Sequence, residues 1–177
     1  MDNDVTRLEL RREYPDPIED VWSALTESER TARWIGPWTG EAGVGNTIML
    51  TMTAEEGSEP GPAVIRECDP PKRLVVDLGV TDQPAWRVEL TLTSQGDGTV
   101  LDFVHLLPKT DWDTSDILKG WHFYLDRLGA ALLGEPVPEW DTYTPPVSEA
   151  WPRRPEAKAP FTASDATKGA FTSPPTT

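Results

Sequence analysis

The segment Asp69-Pro70-Pro71-Lys72-Arg73-Leu74 constrains this chain more than any other. Two successive prolines cannot supply the N–H groups of a sheet ladder, so the chain must turn there. On either side, Ala63–Cys68 and Arg73–Val80 are short apolar runs of strand length. Next, Trp86–Ser94 alternates cleanly, with Trp86, Val88, Leu90 and Leu92 against Arg87, Glu89, Thr91 and Thr93. That period of two predicts a strand with one buried face. Gly96-Asp97-Gly98 is a hairpin signal, and Thr99–Leu107 returns with Leu101, Phe103 and His105 on one face. The period then changes. Ile117, Trp121, Tyr124, Leu125, Leu128 and Leu132 recur at helical spacing and end at Gly134, a residue suited to a helix C-terminus. Acidic residues Asp111, Asp113 and Asp116 supply capping chemistry at its start.

The N-terminal part follows the same logic. Thr6–Tyr14 alternates as a half-buried strand, Pro15-Asp16-Pro17 breaks it, and Ile18, Val21, Trp22 and Leu25 take up helical spacing. A second short helix is expected through Arg33, then a loop Trp34-Ile35-Gly36-Pro37-Trp38. Thr47–Thr53 is a strand with Ile48, Leu50 and Met52 on one face. The predicted order is β-α-α-β-β-β-β-β-α, an α+β domain with six strands.

Pro17-Ile18-Glu19-Asp20-Val21-Trp22-Ser23-Ala24-Leu25-Thr26, the Asp-Pro-Pro-Lys-Arg-Leu turn, and Gly120-Trp121 with Leu125-Asp126-Arg127-Leu128 together resemble the activator-of-Hsp90-ATPase-like branch of the START/polyketide-cyclase superfamily. The likeness runs from about Leu8 to Leu133. It implies a helix-grip fold: a curved antiparallel six-stranded sheet around a long C-terminal helix, with two short helices after the first strand and a cavity between sheet and helix. Members of this superfamily bind lipids, hormones and polyketides, and a few catalyse cyclisation or dehydration. The eukaryotic Hsp90 activators carry an additional N-terminal domain, so the family name does not imply Hsp90 activation here. Residues 1–134 are expected to form the START-like domain. Residues 135–177 hold nine of the 18 prolines and form an extension expected to be partly disordered, from residue 152 onward. Trp140, Tyr143 and Trp151 suggest that part of it straps onto the domain.

Composition excludes several functions. The formal net charge is -14, which argues against nucleic acid or an anionic membrane as partner. No apolar run reaches the roughly 20 residues of a membrane span, and the charged N-terminus lacks a secretory h-region, so a cytoplasmic location is expected. Cys68 is the only cysteine, and His105 and His122 are the only histidines, with no HExxH spacing. The Asp111, Asp113 and Asp116 spacing matches no calcium loop. Neither metal nor cofactor is expected.

The candidate ligand-binding residues are Trp34, Trp38, Met52, Trp86, Val88, Phe103, His105, Ile117, Trp121 and Tyr124. Alternation and helical spacing place most of them in a core whether or not a ligand exists; the resemblance makes some of them cavity walls. His105 discriminates best. It follows Leu101 and Phe103 on the apolar side of its strand, with Asp102 opposite. It is either a core histidine satisfied by a neighbour or a polar group that meets a ligand carbonyl or hydroxyl. The first functional expectation is a binder of a hydrophobic or aromatic, lipid- or polyketide-like small molecule, as monomer or homodimer. The alternatives are a cyclase or dehydratase using His105 and Tyr124, and a protein-interaction or chaperone-associated module.

Overall fold

The computed structural model describes residues 5–54, 58–79, 86–109 and 113–143. The chain order is β1 (Val5–Tyr14), α1 (Ile18–Thr26), α2 (Ser28–Thr31), β2 (Trp38–Thr39), β3 (Thr47–Leu50), β4 (Gly61–Asp69), β5 (Arg73–Leu78), β6 (Trp86–Gln95), β7 (Gly98–Pro108) and α3 (Ser115–Leu133), followed by a short 3-10 turn at Trp140–Thr142. The strands form one antiparallel sheet in the order β1-β7-β6-β5-β4-β3-β2. Asp111, expected to supply capping chemistry for the last helix, the strap residue Trp151 and the stretch from residue 152 expected to be disordered lie outside the described residues.

The turns form where the sequence places them. Asp69 pairs with Arg73 across the Pro-Pro reversal, and Lys72 N–H donates to the Asp69 carbonyl at 2.7 Å. Gln95 pairs with Gly98, leaving Gly96-Asp97 as a two-residue turn with Gly96 at φ 61°. Gly134 ends α3 at φ 73°, its N–H meeting the Ala130 and Ala131 carbonyls. Asp113, rather than the N-cap residue Thr114, accepts the Ser115 N–H at 2.9 Å.

Two features differ from the sequence expectation. The sheet has seven strands, not six, because Trp38–Thr39 pairs with Leu50 and Met49. Two residues are too few to show a period. The strand predicted at Thr47–Thr53 ends at Leu50. Beyond it Thr51 and Thr53 donate to Pro37 and Ile35, which turns Met52 into the main core. Gly36 permits this crossing: its φ is 144°, and a Cβ there would lie 1.6 Å from the Thr51 carbonyl oxygen.

The sheet has two chemically distinct faces. Its concave face, with α1 and α3, encloses the main core, including Leu8, Val88, Leu90, Leu92, Leu101, Phe103, Ile117, Trp121 and Leu128. A smaller cluster, Ile48, Ala63 and Ile65, packs with Trp38 near the β2 end. The other face is laced with ion pairs. Asp77 is buried under Arg66 and Arg87, with N···O distances of 2.6 Å to each. The hydrogen bond from Arg87 holds its carboxyl below the usual carboxylate range, and Arg66 adds to this. Arg73 binds Glu67 and Glu89, and Arg11 binds Asp102 through two nitrogens.

Candidate functional site

His105 lies on β7 between Leu8 of β1 and Val88 of β6. Period-two alternation turns it inward with Leu101, Phe103 and Leu107, and it is fully buried. The ring of Trp86, opposite Leu78 at the start of β6, lies 5.0 Å from the His105 ring. Trp121 reaches it from α3 at 5.7 Å, edge to face. Trp121 in turn meets Phe103 at 4.7 Å and Tyr124 at 6.0 Å. Helical spacing makes this possible: Ile117, Trp121, Tyr124 and Leu128 form one stripe that faces the sheet.

The polar chemistry of this cluster is fixed by one hydrogen bond. Trp121 Nε1–H donates to His105 Nδ1 at 2.9 Å. An indole nitrogen only donates, so Nδ1 must be the acceptor and the neutral ring carries its proton on Nε2. Nε2 is buried and, among the described residues, meets no hydrogen-bond partner. Burial among apolar groups lowers the His105 pKa from 6.5 to about 3, so the ring is neutral at physiological pH. The result is a neutral donor facing away from Trp121, with its basic lone pair already occupied.

The candidate residues divide. Trp34, Met52, Trp86, Val88, Phe103, Ile117, Trp121 and Tyr124 all belong to or pack against the main core, together with His105. Trp38 packs with the smaller cluster instead. The indole N–H groups of Trp34 and Trp38 are both spent on carbonyls at the end of α1, those of Ala24 and Thr26, at 2.8 and 3.1 Å. These two rings brace the loop after α2. Tyr124 and His105 each contact the Trp121 ring. Cys68 is exposed at its surface; partial desolvation of the thiol, with the nearby Asp69 charge, raises its pKa and disfavours the thiolate.

A second polar centre was not read from the sequence. Arg12 points inward from β1 and donates to His122 Nδ1 at 2.6 Å and to Asp126 at 3.2 Å. The Tyr143 hydroxyl donates to the other Asp126 oxygen at 2.6 Å, and burial followed by this bond raises the phenol pKa. Nearby, the Tyr14 hydroxyl donates to the Leu125 carbonyl. The available signal was parity: Arg12 shares a face with Leu8, Leu10 and Tyr14, and His122 and Asp126 are one helical turn apart.

Residues 135–143 lie along the back of α3. Trp140 and Tyr143 meet the Phe123 ring edge to face at 5.0 and 5.2 Å, and Lys119 Nζ sits 4.8 Å from the Trp140 ring centre. Arg127 donates to both the Trp34 and Pro138 carbonyls. Among the described residues no group of histidine, cysteine and carboxylates could hold a metal ion, and no helix is long and apolar enough to cross a membrane.

Comparison with known proteins agrees with this architecture. Residues 16–133 match the family described as activator of Hsp90 ATPase homolog 1-like protein. The crystal structure of CalU16 from Micromonospora echinospora is similar at 29% identity and a TM-score of 0.61, over 72% of this chain and 76% of that one. A protein of Bordetella parapertussis, solved in solution, is similar at 26% identity and a TM-score of 0.65, over 77% of this chain and 80% of that one. DynU16, from the dynemicin biosynthetic locus, shares the fold at 23% identity and a TM-score of 0.62, over 73% of this chain and 48% of that one. No curated protein matches. The helix-grip architecture and the match over residues 16–133 make this chain a member of the activator of Hsp90 ATPase homolog 1-like family.

Proposed function

We propose that the protein binds a hydrophobic or aromatic small molecule, lipid- or polyketide-like, that presents a hydrogen-bond acceptor to His105. The observation that carries this reading is the buried Nε2–H of His105, set among aromatic rings with no hydrogen-bond partner among the described residues. A buried donor without an acceptor costs about 1–3 kcal/mol. A ligand carbonyl, ether or hydroxyl oxygen removes that cost, while Trp86, Trp121 and Phe103 supply flat apolar contact. Family membership supports a small-molecule role between sheet and helix. The lone pair at Nδ1 is committed to Trp121, which favours binding over general-base chemistry at His105. The binding role is assigned to residues 1–134.

The test is tryptophan-fluorescence titration with a hydroxylated anthraquinone, which combines aromatic area with carbonyl acceptors. Saturable quenching is expected, weakened about tenfold or more in His105→Leu, matching the loss of one buried hydrogen bond. Native mass spectrometry of freshly purified protein should show mass that disappears on denaturation. Quenching of equal affinity in both proteins, with a native mass equal to the bare chain, would sink the reading.

A further inference from the structure

The two ends of the sheet are unequal. At one end β2 contributes only Trp38 and Thr39, a short edge of the kind that resists pairing. At the other, β1 runs from Val5 to Tyr14 and, among the described residues, pairs in the sheet on one side only, with β7. Its outer face reads Arg7, Glu9, Arg11, Glu13, an alternation of sign at every second residue. Such a strip is complementary to itself when reversed.

We infer that β1 is a self-association surface, pairing antiparallel with β1 of a second copy of this chain about a two-fold axis through Leu10. The charges select that register. With Leu10 opposite Leu10, Arg7 faces Glu13 and Glu9 faces Arg11, each contact occurring twice by symmetry, and no like charges meet. Centring on Glu9 sets Glu9 against itself and Arg7 against Arg11. Centring on Arg11 sets Arg11 against itself and Glu9 against Glu13. Centring on Leu8 or Arg12 shortens the overlap, and the latter opposes two Arg12 side chains. The Leu10 register keeps Thr6 to Tyr14 paired and offers only opposite charges, the cross-strand arrangement that stabilises sheets.

The inner face tolerates the contact. An inward charge on an edge strand ordinarily blocks pairing. Here Arg12 is bound to His122 and Asp126 of its own chain, so it does not arrive as an unpaired charge. Its aliphatic stem faces Leu8 of the other copy, which such a stem can cover. Arg7 and Arg11 are about half exposed, and Arg11 keeps its bonds to Asp102 while facing Glu9 across the axis. The chain charge of -14 opposes self-association at long range, but at about 0.15 M salt it is screened beyond about 8 Å, whereas cross-strand pairs lie well inside that distance.

Sedimentation equilibrium of the full chain at about 0.15 M salt, from about 1 to 300 µM, tests the inference. The expected mass rises toward twice the 19.6 kDa of the chain. Arg7→Glu sets like charges against Glu13 at both symmetric positions and should weaken the dimer about tenfold or more. Adding Glu13→Arg reverses both members of the pair and should restore it. Both residues are exposed, and far-UV circular dichroism checks that each variant folds. A monomer throughout the range overturns the inference. So does a dimer indifferent to Arg7→Glu, or one that Glu13→Arg fails to rescue.

Discussion

The two buried histidines define two regions of one interior, and their surroundings differ in kind. His122, on α3, sits at the end of a chain of charged and hydroxyl groups: Arg12 binds it and Asp126, and Asp126 in turn accepts from Tyr143, across strand, helix and C-terminal segment. His105, on β7, sits among indoles and, among the described residues, has a single side-chain hydrogen bond, from Trp121. The first arrangement ties three segments together through charged groups. The second leaves a buried donor that no described residue answers. Charged networks that join several segments specify a structure, whereas the aromatic setting of His105 is where the proposed ligand would be received.

The comparison breaks most severely at Trp121. Trp121→Ala removes the helix side of the aromatic cluster and the donor to His105 Nδ1, and should cost about 3–5 kcal/mol in urea unfolding. Acid is the next largest effect. The pKa of His105 falls from 6.5 unfolded to about 3 folded, so between these values the unfolded chain holds more protons. Stability from this group is complete above pH 6.5 and is lost as pH falls toward 3. Relative to His105→Leu, the wild type should lose about 2 kcal/mol by pH 5. Asp77 is also destabilised by acid, but equally in both proteins, so the difference isolates His105. In the charged region, Arg12→Ala should cost about 1–2 kcal/mol in the same assay, a moderate loss because Asp126 is partly solvated and keeps Tyr143. The smallest effect is Tyr143→Phe, about 1 kcal/mol, without change in the anthraquinone affinity. An affinity change in that variant would show that the two regions are coupled.

The aromatic region was legible in the sequence and the charged region was not. Strict alternation from Trp86 to Thr93 and from Leu101 to His105 assigned the faces of β6 and β7, and the 117-121-124-128 stripe assigned the helix face. These are long periodic signals created by burial against a continuous core. Arg12 was not singled out, because local alternation does not reveal that a distant helix brings His122 and Asp126 to meet it. The indoles of Trp34 and Trp38 were read as ligand contacts. Their hydrogen bonds to Ala24 and Thr26 depend on a chain reversal that no period announces. The tail aromatics Trp140 and Tyr143 stood out by composition, but their landing place, Phe123, was hidden in a helix whose other face carried the pattern.

Arg127 has a consequence for how the molecule opens. One guanidinium holds the Trp34 carbonyl, the Pro138 carbonyl and, 5.3 Å away, the Phe123 ring. The loop after α2, the helix and the C-terminal segment therefore share a single fastening. In hydrogen exchange these three stretches should lose protection together as one cooperative unit, and Arg127→Ala should split them into separate openings with their own rates.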